Sequence, residues 1–353
     1  MASNRFKVLI FGYSEEDDMK IPSPTRRRLL AGAAAAVTLG PLRARAQAFP
    51  SKNIRVVIPT AQGGGADRLA RTFDDFWAPQ LKTSFEYGFF AGAAGQVGYE
   101  LYISKRERDG HNLLFGNMGP EMIMYALQKP PYRFPEDYQY FCRLDVDDSI
   151  VFVRQKSAFR RIEDVVDEAK KRAVNVAVSR LPHPASIGLL ALGNAVKARF
   201  NLVPYGGGNP TTVAVMNGEA DCGALPIAGI AALGDQMRIL GIFNDDAAKM
   251  AKYSGNAPSV NKVFGTRIPP LYSSRAWAIH TEVIEKFPDR FALLEKTARQ
   301  VFDNPKYKEE YAKTGAPLET IQFGDRRVCT EYAKGMIELT NEYRSLLTAK
   351  QGK

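Results

Sequence analysis

Short apolar runs and amphipathic stretches alternate along the chain from residue 54 onward. Ile54–Pro59 is a β-branched run bounded by Pro and Gly, which predicts a buried strand, and Ala66–Trp77 has the apolar spacing of a helix. The same alternation predicts further strands at Asn112–Phe115, Ile150–Val153, Asn175–Val178, Leu202–Val203, Cys222–Leu225, Arg238–Phe243 and Arg275–Ile279, and helices at Ile162–Arg172 and Ser186–Val196. This order predicts an α/β fold with two lobes and largely parallel sheets.

The pattern becomes helical after the last predicted strand. Apolar residues form one stripe, which consists of Phe291, Leu294, Ala298, Val301 and Phe302. A further helix at Lys308–Lys313 is expected to end at Gly315. We therefore divide the chain into a leader (1–48), a first lobe (49–150), a second lobe (151–273) and a helical segment (274–353) that returns to the first lobe.

The N-terminal segment has the order of an export signal. Consecutive arginines at Arg26–Arg28 precede the apolar run Leu29–Leu39, and Ala46-Gln47-Ala48 supplies a small-residue cleavage site. The paired arginines are typical of the Tat pathway, and we expect a start at Met19, cleavage after Ala48 and a periplasmic location. The alternative is a basic arm on a cytosolic protein.

Charge and cysteine content exclude several classes of partner. The net charge is +10, and the segment up to Ala48 holds eight of the basic and four of the acidic residues. The remaining basic residues are interspersed with acidic ones, so a nucleic acid partner is not expected, whereas a small anion is compatible. Cys142, Cys222 and Cys329 have no metal-ligand spacing and are expected to be buried thiols. We predict no metal and no cofactor.

A Gly-rich loop lies between the first predicted strand and helix. In Gln62–Asp67, glycines allow close approach of a ligand to the backbone, and the first NH groups of the helix carry partial positive charge. The loop lacks the ending of a P-loop and the spacing of a dinucleotide fingerprint. It predicts a carboxylate cradle; the alternative is a tight turn in which Asp67 holds the helix N-terminus.

A second loop of small residues, Ala91–Gly98, also leads into a helix. Two such loops in one lobe can present converging NH groups, at the strand ends where α/β sheets bind ligands. The pair makes an anion cradle a stronger prediction than either turn alone.

Five segments in the same order resemble the solute-binding proteins of tripartite tricarboxylate transporters: Phe49–Asp67, Ala91–Gly98, Asp109-Gly110, Val203–Gly207 and Gly218–Asp221. The resemblance implies a two-lobed, type II-like periplasmic-binding-protein clamshell with the ligand in the cleft. It further implies a small organic acid as ligand, a membrane permease as partner and a monomeric protein.

The resemblance also implies a set of ligand-binding residues. The first cradle would be formed by Gly64, Gly65 and Asp67 and the second by Ala93, Gly95 and Gln96; Ser179, Arg180, Ser186, Tyr205 and Asp221 would serve from the second lobe. Asp221 would end a strand at the cleft, or else cap the next turn. Tyr205 has an alternative role as a packing residue near the hinge.

Two departures from the family pattern bear on the ligand. Phe89-Phe90 stands where a polar pair is usual, and the second-lobe loop contains Arg180 and His183. We interpret Phe90, His183 and Arg180 as favouring an aromatic or less highly charged acid, with Arg180 pairing a distal carboxylate. The alternative is that Phe89 and Phe90 belong to the core.

An exported hydrolase-like enzyme is the rival functional class. Ser179 and Ser186 lie near His183 in the sequence, but nothing marks an orienting acid or an oxyanion site. A binder that closes about hinges near 150–153 and 272–276 is therefore the favoured prediction.

Overall fold

The structure, a computed structural model, describes residues 48–349. The predicted leader, its twin arginines and the expected start at Met19 lie outside the described residues. Within them no helix is long and apolar enough to cross a membrane.

Twelve strands and fourteen helices make up the described part of the chain. The strands are β1 (Ile54–Ile58), β2 (Phe85–Phe89), β3 (Asn112–Asn117), β4 (Tyr138–Asp145), β5 (Asp147–Arg154), β6 (Val174–Val178), β7 (Phe200–Pro204), β8 (Cys222–Pro226), β9 (Met237–Ile242), β10 (Tyr272–Ser273), β11 (Arg275–His280) and β12 (Ile321–Gly324). The helices are α1 (Gly65–Leu81), α2 (Gln96–Lys105), α3 (Met118–Gln128), α4 (Ile162–Lys171), α5 (Pro184–Val196), α6 (Gly208–Asn217), α7 (Ile227–Ala231), α8 (Ala251–Ser254), α9 (Val260–Phe264), α10 (Thr281–Lys286), α11 (Pro288–Asp303), α12 (Pro305–Lys313), α13 (Arg326–Glu342) and α14 (Arg344–Thr348).

The strands form two sheets, one in each lobe of a clamshell, which confirms the predicted α/β two-lobed fold. The first sheet has the order β12-β4-β11-β3-β1-β2, and the second has β10-β5-β8-β6-β7 with β9 also paired to β5. Parallel pairing is limited to β1 with β2 and β3, and to β6 with β7 and β8. The other described pairs are antiparallel, so the prediction of largely parallel sheets is wrong. The strands that carry the ligand loops are the parallel ones.

The chain passes between the sheets at two neighbouring points. Val146 separates β4 of the first sheet from β5 of the second, and Ser274 separates β10 of the second sheet from β11 of the first. The predicted hinge at 272–276 includes the second point. The predicted hinge at 150–153 is misplaced, because those residues lie inside β5, where they pair with β8 and β9. The predicted lobe boundaries themselves remain a prediction.

The C-terminal helices cover the first sheet and then return to the second lobe. The predicted stripe of α11 is buried and packs on α1, and α13 packs on α3 and β4. An aromatic cluster joins Phe73, Trp77 and Trp277, in which the Trp77 indole donates to Thr297 Oγ1 at 2.7 Å. The last helix, α14, contacts α5. The lobes are thus linked by two strand crossings and one helical return.

All three cysteines are buried free thiols, as predicted. Burial raises the pKa of each of them, so they are held as neutral thiols at ordinary pH.

Candidate functional site

A cavity of about 460 Å³ lies between the two lobes. Its walls are formed by the carboxyl ends of β3, β7 and β8 and by the loops that follow β1, β2, β6 and β7, together with Arg275 at the start of β11. All these segments lie at the carboxyl ends of the parallel strands, which is where open α/β sheets bind ligands. The lining residues are Pro59, Thr60, Ala61, Gln62, Gly64, Gly65, Ala66, Ala91, Ala94, Asn117, Ser179, Arg180, Leu181, Pro182, His183, Pro204, Gly206, Gly207, Gly208, Asn209, Pro210, Leu225, Pro226 and Arg275.

The first Gly loop presents the N-terminus of α1 to the cavity. Gly64 is the N-cap residue and Gly65 the first helical residue, and both line the wall. A Cβ atom at Gly65 would lie 3.3 Å from Arg275 Nη2, so the absence of a side chain lets the guanidinium approach the loop. The unpaired NH groups of a first helical turn favour an anion here.

Asp67 stabilises this loop from the side that faces away from the cavity. Its carboxylate accepts the Gly63 NH at 2.8 Å and the Arg71 Nε at 2.6 Å, and its side chain is buried away from the cavity. The structure therefore gives Asp67 the role that the sequence left as its alternative, which is to hold the loop at the helix N-terminus.

The second loop turns through an unusual backbone conformation. Ala93 and Ala94 have φ values of 49° and 57°, and Gly95 has 105°, so three consecutive residues are left-handed before α2 begins. Ala94 lines the cavity, whereas Ala93, Gly95 and Gln96 lie outside its wall. Gln96 instead donates to Glu100 at 2.5 Å. This loop also offers a backbone acceptor, the Ala94 carbonyl, toward the second lobe.

The second-lobe loop after β6 brings Ser179, Arg180 and His183 to the cavity. His183 is the N-cap of α5, and its Nδ1 accepts the Ala185 NH at 3.1 Å. Burial, aided by the cations Arg180 and Arg275, lowers the pKa of His183 to about 3, so the ring is neutral.

The described contacts of this loop include no hydrogen bond between a serine side chain and the His183 ring. The Ser186 hydroxyl donates to the Arg180 carbonyl at 3.3 Å, and it lies behind the cavity wall. His183 directs its Nδ1 to a backbone NH. The arrangement that a hydrolase-like reaction would need between these residues is therefore not formed here.

Three further residues of the cavity wall were not predicted as site residues from the sequence. Asn209 Nδ2 reaches across the cleft to the Gly63 carbonyl at 2.7 Å. Gly208 begins α6, so a second-lobe helix also points its N-terminus at the cavity. Asn117 ends β3. The signal for the first two was present in Gly206-Gly207-Gly208, a glycine run ahead of a helix like the one in the first lobe.

Tyr205 and Asp221 do not lie on the cavity wall. The half-buried ring of Tyr205 packs against the apolar cluster of the second lobe, which matches its alternative role as a packing residue. The placement predicted for Asp221 is wrong. This residue precedes β8 and lies at the opposite end of the sheet, where it pairs with Arg172 at 2.9 Å and accepts the Asn175 NH at 2.8 Å. The bonds from Arg172 lower its pKa.

The Phe89-Phe90 pair belongs to the packing of the first lobe. Both side chains are half-buried against the apolar clusters, and neither lines the cavity. The alternative that they are core residues is the one that the structure supports, and an aromatic contact from Phe90 to a ligand in this cavity is not formed.

Arg275 is fixed by two carboxylates that flank the first strand crossing. Its guanidinium contacts Asp145 and lies 3.0 Å from Asp147 Oδ2, and its NH donates to Asp145 Oδ1 at 2.6 Å. All three residues are buried. Desolvation raises the pKa of both aspartates, to about 6 for Asp147, although the cation opposes this shift. The two buried carboxylates thus balance the positive charge of Arg275 on the cavity wall.

Arg180 crosses the cleft from the second lobe to the first. Its Nη1 donates to the Ala94 carbonyl at 2.6 Å, and its Nη2 lies 3.9 Å from Glu121 Oε1. Glu121 is completely buried and accepts the Tyr99 hydroxyl at 2.5 Å. Burial raises the pKa of Glu121 to about 7, against the opposing effect of Arg180.

No residue cluster with the composition of a metal site occurs between residues 48 and 349. The wall offers backbone NH groups, two guanidinium groups, amides and apolar side chains. This chemistry suits a small anion with an apolar portion.

Among the sequence relatives are a UPF0065 protein and a protein with a Bug name. The chain is 29% identical over 199 residues to the UPF0065 protein in the tcbD-tcbE intergenic region of Pseudomonas sp. (strain P51), a match that covers 56% of this chain and 59% of that protein. It is 22% identical to Protein BugT of Bordetella pertussis, covering 77% of this chain and 82% of that protein. The chain thus spans less than two thirds of the first of these relatives. No family model matches.

Solved structures share the fold. A TctC solute-binding protein from Polaromonas aligns with a TM-score of 0.60 at 16% identity, over 86% of this chain and all of that one. MatC from Rhodopseudomonas palustris with bound malate gives 0.68 at 19% identity, over 85% and 100%. R. palustris Rpa4515 with adipate gives 0.70 at 17% identity, over 85% and 98%. The predicted resemblance to Bug/TctC-like solute-binding proteins is confirmed.

Proposed function

We propose that this Bug/TctC-like chain is an extracytoplasmic solute-binding protein that captures a small organic acid for a transporter of the tripartite tricarboxylate type. The proposal draws on the fold, on the Bug and TctC names of similar proteins and on the malate and adipate bound by two of the structural neighbours.

The observation that carries the proposal is the convergence of helix N-termini on one cavity. α1 begins at Gly65 in the first lobe, and α5 and α6 begin at Pro184 and Gly208 in the second. Each start lies at or beside the wall. The α1 and α6 N-termini contribute partial positive charge and outward NH groups, so a carboxylate between them is favoured from both sides. At α5, Pro184 has no NH and the Ala185 NH is bonded to His183.

Capture works by closure of the two lobes. Asn209 and Arg180 of the second lobe bind the Gly63 and Ala94 carbonyls of the first, so the contacts that hold the lobes together are short and polar. A ligand that touches both lobes adds its own bonds to the closed form alone. It therefore shifts the population toward that form, with bending at Val146 and Ser274.

The predicted residues take distinct parts in this proposal. Gly64 and Gly65 offer the first-lobe NH groups, and Ser179 and Arg180 meet the ligand from the second lobe. Asp67 positions the first loop. For the remainder of the predicted set we propose supporting roles: Ala93, Gly95 and Gln96 shape the second loop, and Ser186 and Tyr205 hold the second-lobe loops.

The proposal includes a cell location and partners. We propose that the chain is exported, that it acts as a monomer in the periplasm, and that its closed form docks on membrane permease subunits. As a binder rather than an enzyme it returns its ligand chemically unchanged.

A thermal-shift screen of the purified chain tests the function. Organic acids are compared with their uncharged amides at equal concentration, since a ligand that binds the folded state raises the melting temperature by mass action. We expect a rise with one class of acids and none with the amides. Equal shifts for acids and amides, or chemical conversion of a bound acid, would contradict the proposal.

A further inference from the structure

The cavity contains less free positive charge than its composition suggests. Among the described residues that line it, the charged ones are Arg180 and Arg275. Arg275 is already balanced by Asp145 and Asp147, both fully buried. A ligand anion near Arg275 would meet an ion pair network and not an isolated cation. Arg180 is therefore the remaining candidate for recognition of a second negative charge on the ligand.

Arg180 has an acidic partner inside the first lobe. Glu121 extends from α3 toward the cleft, and its Oε1 lies 3.9 Å from Arg180 Nη2. Its other oxygen, Oε2, is held by the Tyr99 hydroxyl, while Oε1 is buried and accepts no hydrogen bond among the described residues. The free oxygen thus faces the guanidinium. The same guanidinium is oriented by the Ala94 carbonyl.

Part of the second-lobe wall is apolar, whereas Ser179, His183 and Asn209 supply polar side chains to it. Leu181, Pro182, Pro210, Leu225 and Pro226 contribute side chains to the cavity. A carboxylate placed against such a surface loses its water without gaining donors, which is costly.

We propose that Glu121 acts as an internal carboxylate that occupies Arg180, so that the cleft selects acids with a single carboxylate and an apolar body over dicarboxylates. This inference rests on the proposed function and specifies its substrate class. The ligand carboxylate binds at the Gly64-Gly65 loop, between the N-termini of α1 and α6, and the apolar body extends along the apolar part of the second-lobe wall. The expected pairing of Arg180 with a distal ligand carboxylate is thereby replaced by a pairing within the protein.

The physical reason is repulsion between like charges in a dry site. A second ligand carboxylate that reached Arg180 would lie within a few ångströms of Glu121, where like charges oppose each other strongly. The dicarboxylate then has to force a proton onto Glu121 or leave its own second carboxylate unpaired. Either route weakens its binding relative to a singly charged acid of the same length.

Calorimetric titration with three acids of equal chain length tests the selection. Hexanoate, adipate and the monoamide of adipate are titrated into the full chain at pH 8, where Glu121 is mostly ionised. We expect hexanoate and the monoamide to bind at least about 10-fold more tightly than adipate, given the size of such repulsion. Tighter binding of adipate would overturn the inference.

Variants locate the selection at Glu121. In Glu121→Gln we expect adipate to bind about 10-fold more tightly than in the parent, with hexanoate changed by less than about 3-fold. Glu107→Gln, which removes the same charge from an exposed residue beside Lys52, is expected to leave the ratio unchanged. An unaltered ratio in Glu121→Gln would overturn the inference even if every acid still binds.

A second measurement covers the case in which Glu121→Gln does not fold. In the parent chain the preference for hexanoate over adipate should narrow between pH 8 and pH 6, because Glu121 takes up a proton and no longer repels a second carboxylate. An unchanged preference would overturn the inference. Absence of binding by all three acids to the folded parent chain would instead contradict the proposed function, and the inference with it.

Discussion

Arg275 binds Asp145 through both its backbone and its side chain. The Arg275 NH donates to Asp145 Oδ1 at 2.6 Å, and the guanidinium contacts the other carboxylate oxygen. Asp145 ends β4 just before one strand crossing, and Arg275 begins β11 just after the other. The two connections between the lobes are therefore bonded to each other beside the part of the cavity wall that Arg275 lines.

The first prediction concerns the stability of this connection. Arg275→Met leaves Asp145 and Asp147 buried without their cation, so we expect a loss of about 3–5 kcal/mol in the free energy of unfolding. Urea unfolding followed by circular dichroism measures it. Arg299→Met breaks the exposed pair with Asp303 and should cost less than about 1 kcal/mol. Equal losses in the two variants would show that the buried network does not hold the crossing.

The second prediction concerns the close approach at Gly65. Gly65→Val places a branched side chain 3.3 Å or less from Arg275 Nη2 and in front of the α1 N-terminus. We expect ligand affinity to fall by about 10-fold or more, while the variant still folds. Gly335→Val, on an open face of α13, serves as the control. Retained affinity in Gly65→Val would refute the proposed role of the first loop.

The third prediction concerns the closing contact of Asn209. Its amide donates to the Gly63 carbonyl across the cleft at 2.7 Å, a bond that exists only while the lobes are together. In Asn209→Ala we expect about 3- to 10-fold weaker ligand binding, since one typical hydrogen bond is removed from the closed form. Small-angle scattering should show a larger radius of gyration for the unliganded variant. An unchanged radius together with unchanged affinity would remove Asn209 from the closing mechanism.

The fourth prediction concerns acid and His183. Its pKa is about 3 in the folded protein and 6.5 in the unfolded chain, so the unfolded state binds more protons between these values. The stability that it contributes is complete above pH 6.5 and is lost as the pH falls, by about 2 kcal/mol at pH 5. His183→Asn keeps a helix cap and removes this dependence. Denaturant unfolding at pH 7 and pH 5 should show a smaller loss in the variant than in the parent chain.

The fifth prediction concerns pH and ligand charge. Glu121 is surrounded by Arg180 from the loop after β6, by Tyr99 from α2, by Tyr140 from β4 and by the Asn117 backbone. Burial raises the pKa of Glu121 to about 7. At pH 6 it is mostly protonated, so Arg180 becomes available to a second ligand carboxylate. We expect adipate to gain affinity relative to hexanoate between pH 8 and pH 6. Glu121→Gln should show no such change, and a parallel response in parent and variant would assign the effect to another group.

Much of the fold follows from local patterns in the sequence. The β-branched run at Ile54 became β1, and the apolar stripe from Phe291 to Phe302 became the buried face of α11, because short-range periodicity determines which residues can share a face. The strand Tyr138–Asp145 was missed although it pairs with two others in the first sheet. Its pairing partners come from residues 275–280 and 321–324, and such distant contacts leave no local signal.

The candidate site, like the fold, was only partly predictable from the sequence. The sequence by itself determined the two Gly-rich loops and the helices that follow them, because glycine content and strand–helix order are local properties. Tertiary structure alone decided that Arg275 and Arg180 meet on one wall, that each has an internal carboxylate, and that Asp221 lies at the far end of its sheet. Charge balance in a cleft depends on residues more than fifty positions apart, and only folding brings those residues within a few ångströms.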